Sequence, residues 1–142
     1  MNLDSEMNSN IVLMSMRPEY VEKIFRGDKR YEFRKKKFGR RVEKVMIYAT
    51  KPLGQIVGHF TFDEVLIGKP SEIWKLCSEY AGIIEEDFYK YFGRYKKAFA
   101  IKINKVFRMN KPINPFDAIE GFKSPRSFIY INKNDFSRLI GH

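Results

Sequence analysis

Lys29, Glu32 and Arg34 stand within six residues of one another, in the segment Gly27-Asp28-Lys29-Arg30-Tyr31-Glu32-Phe33-Arg34. A lysine is a compact cation that can meet a phosphate or a developing oxyanion. A carboxylate can act as general base or acid, and an arginine can hold that carboxylate ionised and oriented through charge-assisted hydrogen bonds. Glu32 and Arg34 are two residues apart, so on an extended strand they share a face and can pair. Hydroxyls at Thr50 and Ser127 would complete a site that handles phosphate esters. In a catalytic set, Lys29 would activate a nucleophile or stabilise negative charge, Glu32 would move a proton, and Thr50 or Ser127 would supply a hydroxyl. The same pair read structurally is a salt bridge at the mouth of a barrel, and the two roles are compatible.

The charge around this segment names a class of partner. The chain has 142 residues with 27 Lys and Arg against 17 Asp and Glu, a formal net charge of +10. Nine of those cations and only two carboxylates, Asp28 and Glu32, lie between Arg26 and Arg41. Lys29, Arg30, Arg34, Lys35, Lys36, Lys37, Arg40 and Arg41 are interleaved with Tyr31, Phe33 and Phe38. Cations neutralise phosphates and aromatic faces accept unstacked bases, so the segment suits RNA or another single-stranded nucleic acid, or a modified nucleotide. The plainer reading is a solvated basic loop on a strand whose rings face the core. Arg94, Lys96 and Lys97 form a second, smaller basic group.

Other chemistries are poorly supplied. Two His and one Cys give no metal-ligand spacing, so no metal and no cofactor are expected. The lone Cys77, beside Trp74, Leu76 and Tyr80, reads as a packed thiol rather than a nucleophile. His59 on a strand reads as a partly buried polar residue, and Trp74 as core. Residues 1–10 read as a flexible polar lead-in without the basic start and apolar run of a signal peptide. No apolar run approaches a membrane span, so a cytoplasmic protein without a membrane partner is expected. Its oligomeric state is not encoded in any pattern here.

The elements that must position these groups can be read from periodicity. Ile11 to Met14 is a buried strand, and Pro18 at a first helical position opens a helix with Val21, Ile24 and Phe25 on one face and Gly27 at its end. From Lys29 the period becomes two. Val45 to Ala49 is a central strand, Lys51 to Gly54 a turn, and Ile56 to Ile67 a long strand in which Gly58 marks a bulge. Helices are expected from Ser71 and over Glu85 to Phe92, then a strand from Lys97 to Val106. Beyond that strand Pro112 and Pro115 break regular structure, with Asn114 capping a short turn. Ser127 to Ile131 is a last strand and Asn134 to Ile140 a last helix. The sum is one α+β domain over 11–142, whose strands would curl into a small barrel with flanking short helices.

The octapeptide reads G-x-K-x-x-E-x-R after a helix and at the start of a strand. It resembles the signature of the ASCH domain, a family related to the PUA domains of RNA-modifying proteins. Val12 to Tyr20 is similar to the first strand and helix of small stand-alone members, Tyr48-Ala49-Thr50-Lys51-Pro52 to their central strand and exit turn, and Ser124 to Phe128 to a late segment returning to the cleft. The resemblance spans roughly residues 11 to 132. It implies a mixed PUA-like β-barrel and an RNA-binding cleft lined by the motif, with Lys51, Arg126 and Ser127 joining the basic segment. Some members resemble ribonucleases, others amidohydrolases of an acetylated cytidine, others parts of transcription coactivators. Three functions are therefore implied: an RNA or modified-nucleotide reader, a metal-independent ribonuclease, or a protein-interaction subunit. The amidohydrolases use a Lys, a Thr and a Glu, whereas Glu32 here occupies the position three after Lys29 where a Thr would stand.

Overall fold

The computed structural model describes residues 10–141. The lead-in expected over 1–10 therefore lies outside the described residues except for Asn10, and so does His142.

Six strands form one mixed sheet in the order β2-β5-β4-β3-β1-β6. They are β1 (Ile11–Met16), β2 (Tyr31–Arg34), β3 (Lys44–Ala49), β4 (Gln55–Gly68), β5 (Ala98–Ile113) and β6 (Phe128–Tyr130). The helices are α1 (Pro18–Arg26), α2 (Pro70–Cys77), α3 (Glu85–Phe92), α4 (Pro115–Ala118) and α5 (Lys133–Gly141), with a 3-10 turn at Ser78–Tyr80 after α2. β1 and β3 run parallel, in register from Ile11 with Lys44 to Met16 with Ala49. A parallel pair needs a long crossover, and α1, β2 and the basic loop supply it. All other strand pairs are antiparallel.

The pleat sorts the apolar residues into separate cores. Val12, Met14 and Met16 of β1 and Val45, Ile47 and Ala49 of β3 pack with Phe60, Ile101, Val21 and Ile24 on the concave side. Alternate residues Ile11, Leu13, Met46 and Tyr48 face the other side, under Ile131 and Leu139. A third cluster, with three phenylalanines at its centre, joins Phe33 of β2 to Ile73, Cys77, Phe88 and Phe92 of the α2–α3 insertion. Phe33 and Phe88 meet edge to face with centroids 5.0 Å apart.

Three details depart from the sequence reading. The sheet is a curled half-barrel, because β2 and β6 are its two edges and no backbone ladder joins them among the described residues. Side chains bridge that seam: Arg34 Nη1 donates to Ser127 Oγ at 2.7 Å, and the Gly39 amide donates to the Tyr130 hydroxyl at 2.9 Å. Second, β5 continues through Pro112. Its pairing with β4 jumps from Arg108 to Ile113, so Pro112 lies in an irregular stretch where its missing N–H costs no ladder bond. Third, Trp74, expected in the core, is only half-buried at the margin of the insertion cluster, where its ring meets the wholly buried Phe88 at 4.9 Å. The bulge expected at Gly58 is present as a register shift between Ile56 and Gly58.

Candidate nucleic-acid interface

α1 and β2 set the site. Pro18 fixes the helix start, and Gly27 ends it in the left-handed region at φ 83°, where a side chain would be strained. The chain reverses there and enters β2. Tyr31 and Phe33 then pack against the insertion, while Glu32 and Arg34 alternate with them and turn toward the space between the sheet end and α3, which an edge of Phe33 also reaches.

On that side lies a cleft of about 640 Å³, within the size range of small-molecule and cofactor sites. Glu32 and Arg34 stand in it beside Thr50 and the end of β1. Arg34 Nη2 lies 3.1 Å from Glu32 Oε1, and each side chain is 12% exposed. Arg34 also reaches the Ser15 carbonyl at 3.5 Å and the Ser127 hydroxyl at 2.7 Å. Its buried Nε has no partner among the described residues. The pair therefore sits deep in the cleft as a fixed acceptor next to a fixed donor. Tyr20, Phe33 and Tyr91 add ring surface, and Arg17, Lys90 and Arg126 are exposed cations around it. Burial raises the hydroxyl pKa of both Tyr20 and Tyr91 above the ordinary phenol value, so both rings stay neutral at pH 7.

Lys29 occupies a different position from its motif partners. It is only 4% exposed and does not line the cleft. Its Nζ donates to the Ala81 carbonyl at 2.7 Å and lies 5.4 Å from the Tyr20 ring centroid and 4.9 Å from that of Phe33. Burial pulls its ammonium below the usual lysine range; Glu32 opposes this, while Lys23 and Arg34 add to it. Lys23 Nζ donates to the neighbouring Gly82 carbonyl at 3.2 Å, and the Arg30 amide donates to the Tyr80 carbonyl at 2.8 Å. The Arg30 guanidinium also stacks 3.7 Å from the Tyr80 ring centroid. Residues 80–82 are thus clasped from three sides, directly before Ile83 and α3.

The basic segment continues from the cleft. Lys35 lies over the rings of Tyr91 and Tyr95, at 4.7 and 5.0 Å. Lys36, Lys37, Arg40 and Arg41 are exposed, with the Arg40 guanidinium 3.7 Å from the Tyr130 centroid. Lys51 is exposed on the turn after Thr50, and Ser127 is exposed next to Arg126. Of the sequence-derived residues, the cleft brings together Glu32, Arg34, Thr50 and Arg126, with Ser127 behind Arg34. Arg30 points elsewhere, into a second depression with Tyr31 and Tyr80.

Sequence reasoning missed the wall that α3 contributes: Asp87, Lys90 and Tyr91, with Ile83 before it. Their spacing held the signal, because positions three and four apart share a helix face. Asp87 reads in isolation as a helix N-terminal charge. Cys77 is buried, and burial pushes its thiol up to about 11, as a packed thiol requires. No group of His, Cys, Asp and Glu among the described residues could hold a metal ion. None of the described helices is long and apolar enough to cross a membrane.

The family model of the ASCH domain matches residues 14–107, more than half of the chain. The chain belongs to the ASCH domain family. An ASCH domain-containing ribonuclease of Zymomonas mobilis subsp. mobilis is 24% identical over 135 residues, covering 90% of this chain and 88% of that protein. The crystal structure of ASCH from Zymomonas mobilis superposes with a TM-score of 0.79 at 22% identity, covering 93% of this chain and 94% of the other. The N-terminal domain of Staphylothermus marinus McrB superposes with a TM-score of 0.62 at 16% identity, covering 94% of each. At these identities the two structures establish the shared fold, the PUA-like half-barrel with short helices.

Proposed function

We propose that this ASCH domain binds single-stranded RNA, taking one unstacked nucleobase into the cleft and the adjoining phosphates onto the basic segment. The observation that carries this reading is the cleft's composition. It has a largely but not fully buried Glu32–Arg34 pair, ring surface from Tyr20, Phe33 and Tyr91, and exposed Arg17, Lys90 and Arg126 around it. A carboxylate beside a guanidinium offers an acceptor and a donor to a base edge, and rings offer stacking of about 1–3 kcal/mol per base. Lys35 on Tyr91 ties the basic run Lys35-Lys36-Lys37 to the same wall. A free modified nucleotide fits the same chemistry and would depend less on salt.

Titrating labelled oligouridylate RNA at several salt concentrations tests the reading. Replacing Lys35, Lys36 and Lys37 by Ala should weaken binding for every sequence and flatten the log–log salt slope by up to about 2. Tyr91→Ala should cost roughly tenfold in affinity. Unchanged affinity and slope in both variants would reject the cleft.

A ribonuclease reading is favoured by one observation, the 24% identical relative of that name whose length this chain nearly spans. Glu32 is then the proton-moving group and Thr50 the cleft hydroxyl, with Ser127 setting Arg34. Lys29 would act from beneath the cleft by its charge. The same RNA samples run with chelator on a gel separate the readings. Chelator-resistant products that vanish in Glu32→Gln support catalysis, and intact RNA supports the reader.

A further inference from the structure

The outer face of β4 and β5 carries a feature that the cleft does not use. His59 and Phe107 are directly paired across the two strands, and their rings stack at 4.6 Å with an interplanar angle of 18°. Phe107 is 45% exposed. The ring pair lines a groove of about 230 Å³ together with Lys44, Met46, Met109 and Phe136. Lys44 and Met46 lie toward the start of β3, whereas the cleft residue Thr50 follows its other end. Four to six residue steps of about 3.3 Å put these positions roughly 13–20 Å from Thr50 along the strand. The groove is a separate surface.

Its geometry is fixed before any ligand arrives. Gly58, next to His59, has no room for a Cβ between the Phe107 carbonyl and the Phe25 ring. Phe25 in turn lies under the Arg108 guanidinium at 4.4 Å, and Arg108 pairs with Glu22 at 3.2 Å. Burial and the Lys44 charge hold the His59 imidazole below its ordinary pKa, so the stacked platform is uncharged at pH 7.

The charge around the platform selects the occupant. The groove is lined by Lys44 and Arg108 and by no carboxylate. Arg108 is balanced by Glu22, which leaves Lys44 as the lining cation that no salt bridge among the described residues engages, while Glu43 is engaged with Asn10 and Asp135 with Arg138. Lys105, two residues before Phe107 on β5, is exposed. A flat, uncharged ring platform with cations beside it and no anion on it suits a base and its phosphates.

We propose that this face is a second contact for single-stranded nucleic acid, with one base stacked on Phe107 and its phosphates meeting Lys44 and Lys105. The inference rests on the reading that the ligand is single-stranded nucleic acid. It is tested by photo-cross-linking the intact protein to a long 4-thiouridine-containing oligouridylate and sequencing the cross-linked peptides, with affinities measured in parallel. Cross-links are expected at the Phe107 segment as well as at the cleft. Phe107→Ala should remove the former and cost roughly tenfold in affinity, and Phe107→Trp should retain both. Cross-links confined to the cleft, with Phe107→Ala binding as well as the parent, would overturn the second contact and leave the cleft standing. Cross-links at the Phe107 segment alone would keep the second contact and reject the cleft. A concentration-dependent dimer in sedimentation that Phe107→Ala abolishes would assign the face to a second copy and overturn the proposal. Absence of any cross-link would overturn both.

Discussion

The two walls of the cleft are built in different ways. One wall is the end of the sheet, with Ser15, Met16, Glu32, Arg34 and Thr50 on strands or at their ends. Backbone ladders hold it, and the Thr50 amide is tied to the Met16 carbonyl at 2.9 Å. The other wall is α3 with Ile83 before it, and no ladder reaches it. It is held by rings, chiefly Phe33, Phe88 and Phe92, and by the clasp of Lys23, Lys29 and Arg30 on residues 80–82. One wall resists motion through many repeated bonds. The other depends on a few contacts, so single substitutions can loosen it alone.

Gly82→Ala should separate the walls most strongly. Gly82 has φ +67°, and a Cβ there would collide with the Lys29 side chain. Left-handed strain of about 1–2 kcal/mol adds to overpacking of about 1–3 kcal/mol. Hydrogen exchange should show α3 losing protection while β3 keeps its own; equal loss in both would mean that the walls form one cooperative unit. Lys29→Ala should have a smaller effect of about 2 kcal/mol, from the Ala81 carbonyl left without its donor and from the lost packing of the lysine stem. Lys29→Met keeps most of the packed stem and should lose less stability by thermal melting. RNA affinity close to the parent in that variant would make Lys29 a positioning residue. The smallest effect is a rate. With its thiol raised to about 11 by burial, Cys77 should react with a maleimide at pH 7 only through local opening of the insertion. Labelling should quicken in Gly82→Ala and be slow in the parent; fast labelling of the parent would show that the insertion wall is already loose.

The sheet wall was legible in the sequence and the insertion wall was not. Period-two alternation from Lys29 put Glu32 with Arg34 and Tyr31 with Phe33, and the ladder of β2 on β5 keeps that register. The helices over α2 and α3 were legible too, since glycines and apolar spacing mark them. What periodicity lacks is the position of one element against another. Lys29 follows a strand-like pattern, yet whether a lysine there is bare or sealed depends on residues 80–82, some fifty positions away in the chain. Asp87, Lys90 and Tyr91 form a helix face that points at the cleft only because Phe88 and Phe92 dock on Phe33. Closure of the barrel was equally out of reach, because the seam is bridged by Arg34 and Tyr130 rather than by an alternating strand pair. β5 ran past its expected end because the rule about proline in strands applies to paired positions, and Pro112 is not at one.

The seam also gives the site an order of assembly in time. Glu32 and Arg34 are made early, and β5, which pairs with β2, comes later at residues 98–113. Ser127, which takes the 2.7 Å bond from Arg34, comes after all of these, just before β6 pairs with β1. A chain emerging from the ribosome therefore carries the full basic segment before its Arg34 has its final anchor. The basic segment precedes a finished cleft, and the last strand to be made brings the anchor that gives the cleft its shape.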